Sequence, residues 1–599
     1  MIKHIVSRRS VLMGSAAAAA ALATPALAAA SPSRALRKLF AASDEAELKR
    51  SPLQALYRGE TRYAGRLGDL YADSYDAAGR HLALKDLAGL ARIDRAALSP
   101  DEQVAYDVFK WQRDLDRRGN TGAILKTGNA LAINHFYGIH NGFAELSSGQ
   151  SAAPYKTVAD YKAGLSRLNA MPAILDRLIK RLKQGVRDGV TQPKLIMANV
   201  LEQLEATATP PLEETSFYIP VKSFPAAIPA ADQPRLRAAY AKVIGEKVIP
   251  AYLRLRDYIK TEYLPAARDT VGLSQVPGGA DLYRYLVEGN TTTPMDPEAV
   301  HALGLSEVAR IQGEMGAVMR KVGFTGSLLQ FFDHIRTDPK FKPTSKQAMI
   351  DGFGAIGARV APRLPELFGH IPKTRLEIKP TPELTERGAA RGSYESGTPD
   401  GSRPGVFYFN TYDLPSRSIP GMETLYLHEG APGHHFQIML AAENEALPAF
   451  QRFGGNNAYV EGWGLYAESL GPELGMYTDP YQYFGYLDSE LFRSIRLVVD
   501  SGIHAKGWTR DQSIDYILAN SSRGRTNATA ETERYIAIPG QALGYKIGQL
   551  KIRAARTRAE QALGAKFDIR AFHDQVLMTG ALPLAVLDAK IDRWVASQV

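Results

Sequence analysis

The stretch "YLHEGAPGHHFQ", Tyr426–Gln437, decides how this chain is read. It opens as the zinc-protease signature H-E-x-x-H, with His428 and Glu429, but Pro432 stands where the second histidine belongs. The next histidines, His434 and His435, follow two and three residues late. A catalytic zinc site takes three protein ligands, an open position for water and a carboxylate to receive the water's proton. Histidines four apart on a helix are separated by about 40° and about 6 Å, so both rings reach one ion. Six residues correspond to about 240° and about 9 Å, which a straight helix cannot bring together, and seven restore the face but separate the rings by about 10.5 Å. Proline disrupts the preceding turn and glycine tolerates unusual backbone angles, so "APG" can bulge and return His434 to the place of the second ligand. His434 is preferred on this ground, with His435 as the alternative.

An adjacent His-Glu pair is common by chance, but three of the chain's 12 histidines fall within eight residues here. The segment "YVEGWGLYAESL" adds Glu461 and Glu468, seven apart and so on nearly one face of a helix. A glutamate facing inward from that helix completes a His-His-Glu ligand set. In "RSIRLVVDSGIHAKGWT", Asp500 and His504 stand four apart, the spacing at which a carboxylate orients an imidazole that can serve an oxyanion or hold substrate. The stretch "TERYIAIPGQALGYKIG" offers Arg534, Tyr535 and Tyr545. Either tyrosine can supply the oxyanion donor, and the planar guanidinium suits a substrate carboxylate.

The chain has 599 residues, 45% of them apolar, enough for one large unit or two to three domains. Its first residues combine Arg8 and Arg9, an alanine-rich run and an Ala-x-Ala pattern at Ala26–Ala28, so residues 1–28 read as a twin-arginine export signal. The expected compartment is the periplasm or the exterior. No later segment offers about 18 uninterrupted apolar residues, so no integral membrane segment is expected after cleavage. The absence of cysteine excludes disulfides and thiolate ligands, leaving His, Asp and Glu to hold any metal. A formal charge of +9, reduced to +6 when Lys3, Arg8 and Arg9 leave with the signal, is a mild bias without long basic runs, and nucleic acid is not an expected partner.

Apolar residues at three- and four-residue intervals dominate from about Ser33 to Phe368, as in Leu165, Leu168, Leu175, Leu178 and Leu182, and predict amphipathic helices. Lys379 to Pro404, rich in Pro, Gly and Ser, reads as a loop. "GVFYFNTYDL", Gly405 to Leu414, is the clearest strand, and helical patterns resume near Met422. The expected fold is mainly α: a single unit over 29–599 with a helical lobe at about 33–378, a catalytic lobe at about 379–599, and a small sheet beside the His-Glu segment.

The segments "DGSRPGVFYFNTYD", "HEGAPGHHFQ", "YVEGWGLYAE", "RLVVDSGIHAKGWT" and "RYIAIPGQALGYKIG", in this order, resemble the bacterial family catalogued as domain of unknown function 885 over nearly the whole mature chain. That family is grouped with the gluzincin-like metallopeptidases and is similar in layout to angiotensin-converting enzyme, thimet oligopeptidase and thermostable carboxypeptidase. The resemblance implies a two-lobed metallopeptidase-like fold with His428, His434 and Glu461 as ligands and Glu429 as general base. It also implies that "FYFNTYD" is an edge strand along which a peptide lies, with Asn410 as a substrate-binding residue. The resulting expectation is an exported zinc peptidase acting on short peptides, with Tyr545, Tyr535 or His504 at the oxyanion and Arg534 at a substrate carboxylate. Manganese, cobalt or iron suits the same ligands as Zn2+. The alternatives are a metal-dependent hydrolase of another amide or an ester, and a non-catalytic periplasmic binding protein. Oligomeric state is not readable.

Overall fold

The computed structural model describes residues 31–386 and 390–599. The export signal expected at 1–28 lies outside the described residues. The chain is mainly helical with one small sheet, as the apolar periodicity predicts. Among the helices of the first half are α1 (Val158–Arg187) and α2 (Pro297–Lys321). A Thr157 capping box opens α1, and Asp296 caps α2 ahead of a first-turn proline. In the second half, α3 (Met422–Glu429), α4 (His434–Glu443), α5 (Asn457–Ser469), α6 (Pro480–His504), α7 (Arg525–Ala537) and α8 (Gly544–Leu563) surround the His-Glu segment. No helix of the described residues is long and apolar enough to cross a membrane.

Cores are shared across residue 379. Val104, Val108, Phe353 and Val360 pack with Leu427, Phe436, Trp463 and Ile591 in one buried cluster, and Val308, Ile311 and Met315 of α2 pack against Leu491, Ile495 and Val498 of α6 in another. The two stretches of sequence are therefore joined by continuous apolar burial, the dominant favourable term in folding.

The sheet corrects the expectation in two respects. First, the stretch read as a loop contains strand β2 (Gly392–Glu395) and the end of β1 (Leu376–Pro380). Second, "GVFYF" forms β3 (Gly405–Phe409), which is the central strand. It pairs parallel with β1 and antiparallel with β2, so its backbone groups are taken on both sides, and the edge strand that passes the His-Glu segment is β2. Phe407 and Phe409 drive this arrangement, being wholly buried against Phe353.

Candidate metal centre

Helix α3 ends at Glu429 and α4 begins at His434, so the two helices are separated by the break "GAPG". Gly430 and Gly433 adopt ψ values of −121° and −125°, far from helical, and the Ala431–Pro432 peptide is cis. The Trp463 indole of α5, wholly buried, donates to Pro432 O at 2.8 Å and ties the break to the helix that carries Glu461. The two extra residues are thus absorbed where Pro and Gly stand, and the histidines turn to face one another.

His428 Nε2 lies 3.5 Å and His434 Nε2 3.6 Å from the same carboxylate oxygen, Glu461 Oε2. The His428 and His434 rings meet nearly edge to face, their centroids 4.7 Å apart. One ligand atom from each of the three residues fits within 4.8 Å of the others. Ligands about 2.1 Å from a tetrahedral zinc stand about 3.4 Å from one another, so both histidine-to-glutamate distances suit one shared ion. His435 goes elsewhere: its Nδ1 meets Tyr394 Oη of β2 at 3.0 Å, and burial pushes its imidazole down to about 4, which keeps it neutral against the sheet. Among the alternatives for the second ligand, the geometry therefore selects His434.

Glu468, one helical repeat of seven after Glu461, supports the set from behind. Its Oε1 is 2.8 Å from His428 Nδ1, and its Oε2 accepts from Ser489 Oγ at 2.9 Å. This contact occupies Nδ1 and leaves Nε2 for an ion, the carboxylate-histidine arrangement that fixes tautomer and ring direction. Sequence reasoning placed Glu468 on the right face without assigning it this role. Gly464 completes the fit, because a Cβ there would stand only 2.6 Å from His428 Cε1. Burial disfavours the charged His428 ring, yet its contacts with Glu461 and Glu468 outweigh that and raise it to about 10. Burial acts in the opposite sense on Glu461, but the two histidines hold its carboxyl well below the usual range.

Glu429 follows His428 and so points about 100° around the helix from it. Its Cγ is 3.3 Å from where a Cβ on Gly392 would stand, which places it under edge strand β2, and its carboxylate makes no hydrogen bond or ion pair among the described residues. Tyr545 of α8 is half-buried with Arg496 over its ring at 4.5 Å, and its hydroxyl likewise has no hydrogen bond among the described residues. Burial first, and the Glu461 charge second, raise its phenol above the ordinary value. The Tyr545 phenol is therefore neutral and lies within electrostatic reach of Glu461.

Four expected site residues are committed to the protein itself. His504 is wholly buried, accepts from Leu273 N through Nδ1 (3.2 Å), and meets Tyr535 O through Nε2 (2.9 Å), so no ring nitrogen remains for substrate. Asp500 does not orient it but accepts from Tyr283 Oη and Gly540 N. The Tyr535 hydroxyl donates to Glu531 at 2.6 Å. Asn410 is buried, donating to Glu386 O and accepting from Tyr412 N. Arg534 is joined to Gln541 (2.8 Å) and Glu531 (3.4 Å).

The family model described as a bacterial protein of unknown function (DUF885) matches residues 52–591. A crystal structure of a candidate lipoprotein from Colwellia psychrerythraea is similar with a TM-score of 0.87 at 27% identity, over 95% of this chain and 100% of that one. Another, a candidate lipoprotein of unknown function from Shewanella oneidensis, is similar in fold, with a TM-score of 0.71 at 19% identity over 94% and 99% of the two chains. No curated protein matches.

Proposed function

This chain belongs to the DUF885 family of bacterial proteins of unknown function, and from that premise we propose that it is an exported metal-dependent hydrolase that cuts peptide bonds of short peptides. The observation that carries the reading is the convergence of His428, His434 and Glu461 on one point, with an uncommitted carboxylate, Glu429, adjacent in sequence to the first ligand. A binding pocket has no need of a base there. Zinc is the expected ion, and a divalent ion held by these three would supply Lewis acidity, acidifying water and polarising a carbonyl.

Glu429 receives the proton of the attacking water at a carboxylate oxygen and delivers it to the amide nitrogen as the C–N bond breaks and the new C–O bond forms. Tyr545 donates its hydroxyl hydrogen to the carbonyl oxygen as charge develops there, a contribution of about 10²–10³ in rate for comparable single donors. The edge of β2, above Glu429, suits an extended peptide held by main-chain hydrogen bonds. Export is supported by Arg8, Arg9 and the Ala-x-Ala pattern, and by likeness to a chain described as a candidate lipoprotein.

The test is metal analysis of the purified chain, followed by a mixed peptide library exposed to wild type and Glu429→Gln. One equivalent of metal in both proteins is expected, with turnover about 10²–10⁴-fold lower in the variant. Metal without turnover of any amide would refute the peptidase reading, and absence of metal would refute the site.

A further inference from the structure

Beyond Tyr545 the wall of the site is built from arginines. Arg496 of α6 is nine-tenths buried; its Nε donates to Tyr535 Oη (3.2 Å) and its Nη2 to Glu531 (3.1 Å), while its Nη1 is buried with no acceptor among the described residues. It shares the Phe492 ring with Arg523, the two guanidiniums lying 5.1 Å and 4.5 Å from the ring centre. Arg523 reaches Asp488 only at 3.6 Å, and neither its buried Nε nor the buried Asp488 Oδ1 has a partner among the described residues. Arg493 donates to Ser489 Oγ, lies 3.8 Å from Glu468, and has a buried Nε without a partner among the described residues.

Arg391 stands directly before β2, the strand whose Gly392 abuts Glu429. Its side chain has no hydrogen bond or ion pair among the described residues. It is open to water, yet burial, together with the charges of Arg523, Arg493 and Arg417 against Asp488 alone, pushes its guanidinium down to about 10. Arg523, Arg493 and Asp488 thus lie within electrostatic reach of Arg391. Arg493, Arg496, Arg523 and Arg534 share three carboxylates, Glu468, Glu531 and Asp488, and Glu468 is already engaged by His428. Guanidinium groups held together with unfilled donors and surplus charge favour an anion, above all a carboxylate, whose two oxygens match the guanidinium fork.

We propose that Arg391 and Arg523, backed by Arg493, form a carboxylate subsite beside the metal centre, so that the preferred substrate carries an anionic group next to the bond that is cut. The second clause rests on the hydrolase reading; the subsite itself does not. Arg534, expected for this task, donates to Gln541 and Glu531, keeps a buried Nε with no acceptor among the described residues, and helps hold the same wall. The carboxylate can come from a peptide's C-terminus or from an acidic side chain.

Three N-acetylated tripeptides separate these sources: one with a free C-terminus, its amide, and an amide ending in glutamate. They are titrated calorimetrically into the full-length Glu429→Gln chain in the presence of zinc, so that no peptide is consumed. At least tenfold tighter binding of one or both carboxylate peptides over the plain amide is expected, and Arg391→Met should bring them within about twofold of it. The Arg391 side chain is exposed and makes no hydrogen bond among the described residues, and its backbone carbonyl, which accepts from Asn410 N, is untouched by the change, so the fold is left intact. Equal affinities for all three peptides, no binding at millimolar concentration, or equal weakening of all three by Arg391→Met would overturn the subsite. Selective binding without turnover by wild type would overturn the hydrolase reading and leave the subsite standing.

Discussion

Replacing Glu468 tests whether the His-His-Glu set is a metal site rather than a buried polar cluster. Glu468 is 1% exposed and is not itself one of the three converging residues; it acts on His428 Nδ1 at 2.8 Å. In Glu468→Gln the amide oxygen can still accept from Nδ1–H, and the amide nitrogen can face Ser489 Oγ, so ring orientation survives while the negative charge is lost. In Glu468→Ala both are lost. Partners of this kind contribute about 10–100-fold to metal affinity. Glutamine should therefore weaken zinc binding about tenfold, about 1.4 kcal/mol, and alanine about 100-fold, about 2.7 kcal/mol. Competition against a chromogenic chelator measures the affinities, and circular dichroism checks that the helices persist. Wild-type zinc affinity in both folded variants would refute the argument, because the contact would then have no metal to tune.

Two further predictions separate other parts of the structure. His434→Ala should abolish stoichiometric zinc binding while His435→Ala leaves it unchanged, since His435 is turned to Tyr394; atomic absorption on the dialysed proteins decides, and loss in the second variant alone would reverse the ligand assignment. Asp500 should make stability fall with pH: burial raises its carboxyl from 3.8 to about 7 despite hydrogen bonds from Tyr283 and Gly540, so the folded chain keeps a proton that the unfolded chain has released. Its contribution is therefore lost progressively as pH rises from about 4 to about 7, by up to about 4 kcal/mol. Urea denaturation should show Asp500→Asn with a flatter pH profile over that window, and parallel profiles would contradict it.

Much of the candidate metal centre was legible because its constraints are local. His428, Glu429 and the Pro-Gly break fall in one short segment, and helical geometry alone shows that His434 needs a bulge. The residues around it were less legible because long-range partners decide them. Asp500 and His504 do stand four apart on one helix, but both are buried, and buried Leu273 N, Gly540 N and Tyr535 O claim them first. Tyr535 could have been set aside from sequence, since Glu531 lies one turn earlier and takes its hydroxyl. Nothing in the composition distinguishes Tyr545 among 28 tyrosines. Strand β2, four residues long, gives too little alternation to see; it exists because β3 offers it an open side.

The position of Tyr545 follows from how closely α5 and α8 approach. A Cβ on Gly462 would stand 2.5 Å from Gly548 Cα, and one on Gly548 would overlap Ala458 O, so the two helices meet backbone to backbone. Glu461 is the neighbour of Gly462, and Tyr545 lies three residues, nearly one turn, before Gly548. The seam therefore sets the distance between the helix of Glu461 and the helix of Tyr545, independently of any ion. Trp463, on the other side of α5, fixes the Pro432 break in the same way. One helix thus positions Glu461, supports His428 through Glu468, holds the bulge that turns His434 inward, and sets the spacing to Tyr545. Such preorganisation by packing is what a site needs if its charged groups are to meet a substrate without reorganising.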